Sequence, residues 1–196
     1  MSIVVLVSGG LDSTLVARLA KEEGVNVYPL FVNYGQRSMR REFQACLMSM
    51  KAMNLPEPKI ADLAGFGQLI RSGLTDSSLR VLEDAFTPGR NALFLLMASS
   101  YAYQMNADAV SIGLLSEETS LFPDQTKQFL SNAESFIEVA LGRKISILAP
   151  LADFNKQDVV QLAAQKGIAG TYSCHVGGEI PCGKCIACLE FLSEDT

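Results

Sequence analysis

The sequence predicts an α/β protein: a parallel sheet covered by helices on both faces. Two observations carry that reading. Apolar, β-branched runs alternate with stripes at helical spacing along the whole chain, and the first run, Ile3-Val4-Val5-Leu6-Val7, is apolar without alternation, as a strand buried on both faces must be. Strands separated by helices, rather than by hairpin turns, call for parallel pairing with crossovers. The 196 residues, 48% apolar, suit one domain over 1–196, with no repeat and no linker.

The elements follow in order. After the first strand, Ser8 to Thr14 form a turn, and Leu15, Val16, Leu19 and Ala20 mark a helix that Gly24 stops. Val27 to Val32 is a second strand. Met39, Phe43, Leu47 and Met50 form the apolar stripe of a second helix, and Lys59 to Leu63 a short third strand. Between Ala64 and Pro88 the periodicity fades, which predicts a long functional loop or short irregular helices. Asn91 to Gln104 reads as a largely buried helix, Ala109 to Gly113 as a fourth strand, and Ser116 to Asp124 as a second functional loop. Phe129, Ala133, Phe136 and Ala140 mark a helix, Ile145 to Leu148 a fifth strand, and Lys156 to Lys166 the last helix.

Composition narrows the function classes. A net charge of −5 gives no basic face, so nucleic acid is not an expected partner. The longest mostly apolar run, Ala92 to Tyr103, contains Ser99 and Ser100 and falls short of the ~20 residues that span a membrane. The start, Met1 to Val7, lacks the charged region of a signal peptide. A cytoplasmic small-molecule enzyme with reduced thiols is expected.

Two motifs carry chemistry. Ser8-Gly9-Gly10-Leu11-Asp12-Ser13 joins a buried strand to a helix N-terminus, where unpaired amides and the helix dipole favour an anion. Gly9 and Gly10 permit close backbone approach, while Ser8, Ser13 and Thr14 add hydroxyls. Asp12 would repel a phosphate unless it holds Mg²⁺ or orients the loop. The bland reading is a capped helix after an ordinary turn, but the full string resembles the PP-loop of ATP-pyrophosphatases. Near the C-terminus, Cys174, Cys182, Cys185 and Cys188 offer four thiolates, a closed tetrahedral set for structural zinc within about 171–191. A persulfide-bearing redox site is the other reading. His175, the only histidine, reads as a bystander or a substrate contact; Cys46 reads as core. Gly178 to Lys184 imitates a Walker loop, but Cys185 stands where that loop needs Ser or Thr.

Both motifs in this order resemble the QueC-like family of PP-loop ATP-pyrophosphatases. Tyr34-Gly35-Gln36-Arg37, Thr87-Pro88-Gly89-Arg90-Asn91 and Phe122-Pro123-Asp124 extend the likeness over residues 3 to 188. The resemblance implies an adenine-nucleotide α-hydrolase-like sandwich with a zinc appendix. It also implies activation of 7-carboxy-7-deazaguanine by ATP as an acyl-adenylate, coupling to ammonia, and conversion to a nitrile, with AMP and pyrophosphate released. Within it, Arg90 and Lys156 would neutralise phosphate charge beside Asp12, while Tyr34, Gln36, Arg37 and Asp124 would meet the deazaguanine. A homodimer is expected.

The chain departs from the family pattern on the substrate side. Gln125 and Thr126 follow Phe-Pro-Asp where the family carries Cys-Arg, and Glu118-Thr119-Ser120-Leu121 replaces an Asp-aromatic-Ser-Gly stretch. Phe191 stands in place of an Arg, Asn33 in place of an Asp, and the chain ends at Thr196 without the customary tail. These changes leave two readings open: drift within an ordinary QueC-like enzyme, or transfer of the activated carboxylate to another amine, such as one on a protein. A tRNA-thiolating PP-loop enzyme and a non-catalytic nucleotide-binding subunit are the rival classes.

Overall fold

The computed structural model describes residues 1–119 and 121–191; Ser120 and the stretch 192–196, with Thr196, lie outside the described residues. Five strands form one parallel sheet: β1 (Ser2–Leu6), β2 (Asn26–Asn33), β3 (Lys59–Asp62), β4 (Ala109–Ser111) and β5 (Ser146–Leu148). Their order is β3-β2-β1-β4-β5. The chain winds outward from β1 to β3, then crosses back to build β4 and β5 on the other side. With right-handed crossovers, that reversal sends the helices that lead into β4 and β5 to the opposite face.

The two faces are filled accordingly. Ile3, Val5 and Val7 point to the side covered by α1 (Leu11–Glu22), α2 (Met39–Ala52) and, later, α6 (Lys156–Gln165). Val4 and Leu6 point the other way, onto Leu95, Ala98 and Ala102 of α4 (Arg90–Gln104) and Leu130 and Ile137 of α5 (Lys127–Leu141). The unalternating apolar run at the N-terminus thus feeds two cores at once. Pro29, which has no N–H to give, sits one residue before β2 gains its β3 neighbour at Leu30, so the ladder loses nothing there.

One short helix falls where irregular helices were expected, and one adds to the plan. In the weak stretch after β3, Ala64–Leu69 is a short helix, α3, followed by turns as far as Arg90. Lys156 does not open the last helix: Ile186–Leu189 makes a final single turn, α7. The inward face of α2 is also rotated from the apolar stripe. Glu42, Ala45, Cys46, Ser49 and Met50 are buried, while Met39, Phe43 and Leu47 are only half-buried. The cause is close packing on the glycine loop, where the Glu42 backbone leaves no room for a side chain on Gly9. Among the described residues, no helix is long and apolar enough to cross a membrane.

Candidate active site

Where a parallel sheet reverses its winding, the loops at the strand C-termini splay apart and leave a crevice. Here that point lies between β1 and β4, and a cavity of about 290 Å³ opens there. The ends of β1, β2 and β4 form its apolar floor, through residues such as Leu6, Val32 and Ile112.

The glycine loop makes one wall. Gly9 has φ +82°, and a Cβ on it would lie 2.2 Å from the Glu42 carbonyl oxygen, so only glycine fits. Gly10 is different: a Cβ there would reach the Ser8 and Ser173 hydroxyls at 3.4 Å, an ordinary contact. The Ser8 and Ser13 hydroxyls lie 3.0 Å apart, and the Ser8 amide donates to Ser13 Oγ at 3.0 Å. Gly10 gives α1 no side-chain cap, and the first intrahelical bond is Thr14 N–H to the Gly10 carbonyl. The amides of the first turn are therefore left to face an anion. The Thr14 hydroxyl is buried without a partner and does not line the cavity.

Cations and aromatics complete the site. Lys156 opens α6 behind an Asn155 cap that accepts from the Asp158 amide, and this aims its ammonium at Asp12 (2.9 Å) and Glu190 (3.0 Å). Burial, the largest influence, pulls its pKa down. The Asp12 and Glu190 carboxylates outweigh that and hold it above the ordinary lysine value. Arg90 follows Gly89 (φ +75°) and lies over the rings of Tyr34 (5.6 Å) and Phe94 (5.9 Å). Burial raises the Tyr34 phenol, against the opposing charge of Arg90.

The predicted residues divide. Ser8, Gly10, Asp12, Ser13, Tyr34, Gln36, Arg90 and Lys156 line the cavity together. Gly9 stands behind the loop as a packing requirement. Arg37 and Asp124 do not line the cavity. Arg37 donates to the Gly73 carbonyl at 3.1 Å, bracing the loop after α3. The Asp124 carboxylate accepts from the Asn91 amide, and its carbonyl accepts from Asn91 Nδ2 at 2.9 Å, tying that loop to the start of α4. Of the departures, Gln125 lines the cavity while its Oε1 accepts from the amides of Leu121 and Phe122. Thr126 caps α5 by accepting from the Phe129 amide. The Asn33 side chain bridges Asp62 and the Gly35 amide. Ser120 lies outside the described residues.

Sequence reasoning missed Glu42, which is buried and lines the cavity. Its polarity on an amphipathic helix signalled a surface position. It also missed Tyr172, Ser173 and Glu190, which the cysteine segment brings to the cavity. The Tyr172 amide donates to the Gly9 carbonyl at 2.8 Å, fastening that segment to the loop. His175 lines the cavity too. Burial, then the charges of Arg90 and Lys156, lower its pKa to about 4, so the ring is neutral at pH 7.

The thiols of Cys174, Cys182, Cys185 and Cys188 lie within 4.8 Å of one another and can hold a metal. A tetrahedral zinc–thiolate site has bonds of about 2.3 Å, hence sulfur–sulfur edges of roughly 3.8 Å. The Cys182–Cys188 distance of 3.9 Å already matches. Three of the four cysteines are buried, a fit to a closed structural site. Cys46 stands apart in the core. Burial, then the charge of Glu42, push its thiol up to about 12.

A family model described as "Queuosine biosynthesis protein QueC" matches residues 2–192. A 7-cyano-7-deazaguanine synthase of Campylobacter jejuni is 32% identical, the alignment covering 94% of this chain and 88% of that protein. 7-Cyano-7-deazaguanine synthase 2 of Desulfitobacterium hafniense is 37% identical over 94% of this chain and 84% of its own. Among solved structures, NMN synthetase from Francisella tularensis matches with a TM-score of 0.58 at 16% identity, over 91% of this chain and 68% of that one. The U34-tRNA thiolase NcsA from Methanococcus maripaludis matches at 0.57 and 14%, over 88% and 59%. Identities this low establish the fold alone.

Proposed function

The chain belongs to the QueC family of queuosine biosynthesis proteins, and on that premise we propose that it is an ATP-dependent carbon–nitrogen ligase acting on 7-carboxy-7-deazaguanine. It activates the carboxylate as an acyl-adenylate, couples it to ammonia, and carries the product on to 7-cyano-7-deazaguanine, releasing AMP and pyrophosphate. The observation that carries the reading is the convergence, in one cavity, of the uncapped glycine loop, the Lys156–Asp12 pair and Arg90 stacked on two aromatic rings.

A carboxylate is a poor electrophile, and phosphate charge must be neutralised before it attacks the α-phosphorus. The amides and hydroxyls of Ser8 to Ser13 suit the departing pyrophosphate. Lys156 and Arg90 supply positive charge already held in place at the cavity wall, which needs little reorganisation. Asp12 is the carboxylate placed to share Mg²⁺, which would neutralise phosphate charge when bound. Tyr34 and Phe94 pack at a tilt with Arg90 against both rings, an apolar and cationic wall suited to contact with a planar anionic heterocycle. The four-cysteine set is assigned to structural zinc: it has no open position, and its thiols face their own small core with Val81 and Ala187.

The test is to incubate the protein with ATP, Mg²⁺ and 7-carboxy-7-deazaguanine, with and without ammonia, and to follow AMP and product mass together. AMP with a nitrile that requires ammonia is expected. AMP without amide or nitrile would redirect the search to another amine. No AMP at all would overturn the ligase reading.

A further inference from the structure

Glu42 is a buried carboxylic acid in the catalytic cavity with no fixed cation to balance it. It is 9% exposed and lines the same cavity as Ser8, Asp12 and Arg90. Its Oε1 accepts from the Ser38 hydroxyl at 2.6 Å, and its Oε2 accepts from Gln36 Nε2 at 3.0 Å. Gln36 is itself fixed: its Nε2 also donates to the Val32 carbonyl and its Oε1 accepts from the Tyr34 amide. Both donors are neutral, and among the described residues no lysine or arginine forms an ion pair with Glu42. Arg90 acts on it only through space. The Glu42 backbone is packed against Gly9, so the side chain is anchored beside the loop that grips the nucleotide.

A carboxylate has about four acceptor sites, and two are used here. A buried carboxylate with spare acceptors, no paired cation and a wall on a cavity costs free energy until a cation or a proton reaches it from that cavity. Burial raises its pKa, opposed by the Ser38 and Gln36 hydrogen bonds and by the charge of Arg90. The ligase reaction brings a cation of the right kind, because ammonia is mostly ammonium at neutral pH and ammonium cannot attack a carbonyl.

We infer that Glu42 is the amine receptor: its carboxylate binds the incoming ammonium and takes one proton from it, leaving ammonia to attack the activated carbonyl. The inference rests on the ligase reading above. In the step, the nitrogen lone pair forms the C–N bond, and the carbonyl–oxygen bond to AMP breaks with its electron pair. The second surplus proton leaves with the departing phosphate. Gln36 and Ser38 are positioning residues that keep the carboxylate turned to the cavity.

The test compares ammonia with hydroxylamine, an amine that is already unprotonated at neutral pH and needs no acceptor for its first proton. Amide plus nitrile, counted together as the amide product, and hydroxamate are quantified by mass for the parent, for Glu42→Gln and for Glu42→Asp. Because both products share one adenylate, their ratio cancels any loss of folding or of adenylation. In Glu42→Gln the hydroxamate-to-amide ratio should rise by about 100-fold, the low end of what general base catalysis supplies. In Glu42→Asp, which keeps a carboxylate, it should stay close to the parent ratio. An unchanged ratio in Glu42→Gln, or an equal rise in Glu42→Asp, overturns the inference while leaving the ligase reading intact. Failure of the parent to form either product in an ATP-dependent way overturns both.

Discussion

Lys156 Nζ lies 2.9 Å from Asp12 Oδ1, joining the start of α6 to the first turn of α1. The same ammonium meets Glu190 at 3.0 Å and stands 4.9 Å from the centre of the Phe191 ring, so the cysteine segment shares the lysine with the glycine loop. Removing the charge should cost transition-state stabilisation directly. Lys156→Met is expected to lower ATP–pyrophosphate exchange by at least about 100-fold. Burial works against the ammonium, but the two carboxylates raise its pKa on balance. The lysine stays protonated through neutrality, so the exchange rate should show no lysine limb between pH 6 and pH 9. A falling limb in that range that vanishes in Lys156→Arg would contradict this.

The two loop glycines should fail in different ways. Gly9→Ala places a methyl on a backbone at φ +82° and against the Glu42 carbonyl. Left-handed strain alone costs about 1–3 kcal/mol, and melting should drop by several degrees. Gly10→Ala has room for its methyl among the Ser8 and Ser173 hydroxyls. Its melting temperature should hold, while on the proposed reading KM for ATP rises because the methyl crowds the Ser8 hydroxyl of the loop. Thermal melts beside steady-state kinetics separate the two. Equal loss of stability in both variants would count against the assignment.

Metal removal should uncouple the cysteine segment from the cavity. The four clustered thiols are the scaffold that delivers Tyr172, His175 and Glu190. Native protein should carry about one zinc per chain by elemental analysis. Chelation should open four thiols to alkylation at pH 8, as counted by intact mass, and exchange activity should fall with them. Cys46, fully buried and with its thiol pushed up to about 12, should remain unmodified until the protein is denatured. Alkylation of Cys46 in the folded metal-free protein would mean that the core, and not only the segment, depends on the metal.

The strands, the glycine loop and the cysteine set were legible because each is written locally: an unalternating apolar run, an uncapped glycine turn and a ligand spacing. The function of Glu42 was not, because burial of one polar residue on α2 depends on how that helix packs against Gly9, some thirty positions away. Arg37 and Asp124 show the reverse. The resemblance placed them at the substrate, and each is seen here holding a loop by hydrogen bonds outside the cavity lining. The stretch from 64 to 88 carried little periodicity because, past the short α3, turns hold it by hydrogen bonds such as Ser72 to Thr87 at 2.7 Å, not by an apolar stripe. It nonetheless supplies Leu74 and Ala85 to the cavity wall.

Arg90 gives the test of the aromatic wall. Its guanidinium is planar and sits over Tyr34 and Phe94, whose ring centres are 5.2 Å apart. A lysine at this position would keep the charge but lose the flat contact that fixes its direction. If Arg90 serves only as a charge near phosphate, Arg90→Lys should behave like the parent. If it also fixes the ring cluster, Arg90→Lys should lose up to about 30-fold in kcat/KM for the carboxylate substrate, the scale of a desolvated cation–π contact of ~2 kcal/mol. Its KM for ATP should change little. Arg90→Ala should lose both, because the phosphate charge then goes unmatched as well. Tyr34→Phe removes only the weak 3.4 Å hydrogen bond from Arg90 and keeps the ring, so it should resemble the parent. A loss in Tyr34→Phe as large as in Arg90→Lys would shift the weight from stacking to the phenol.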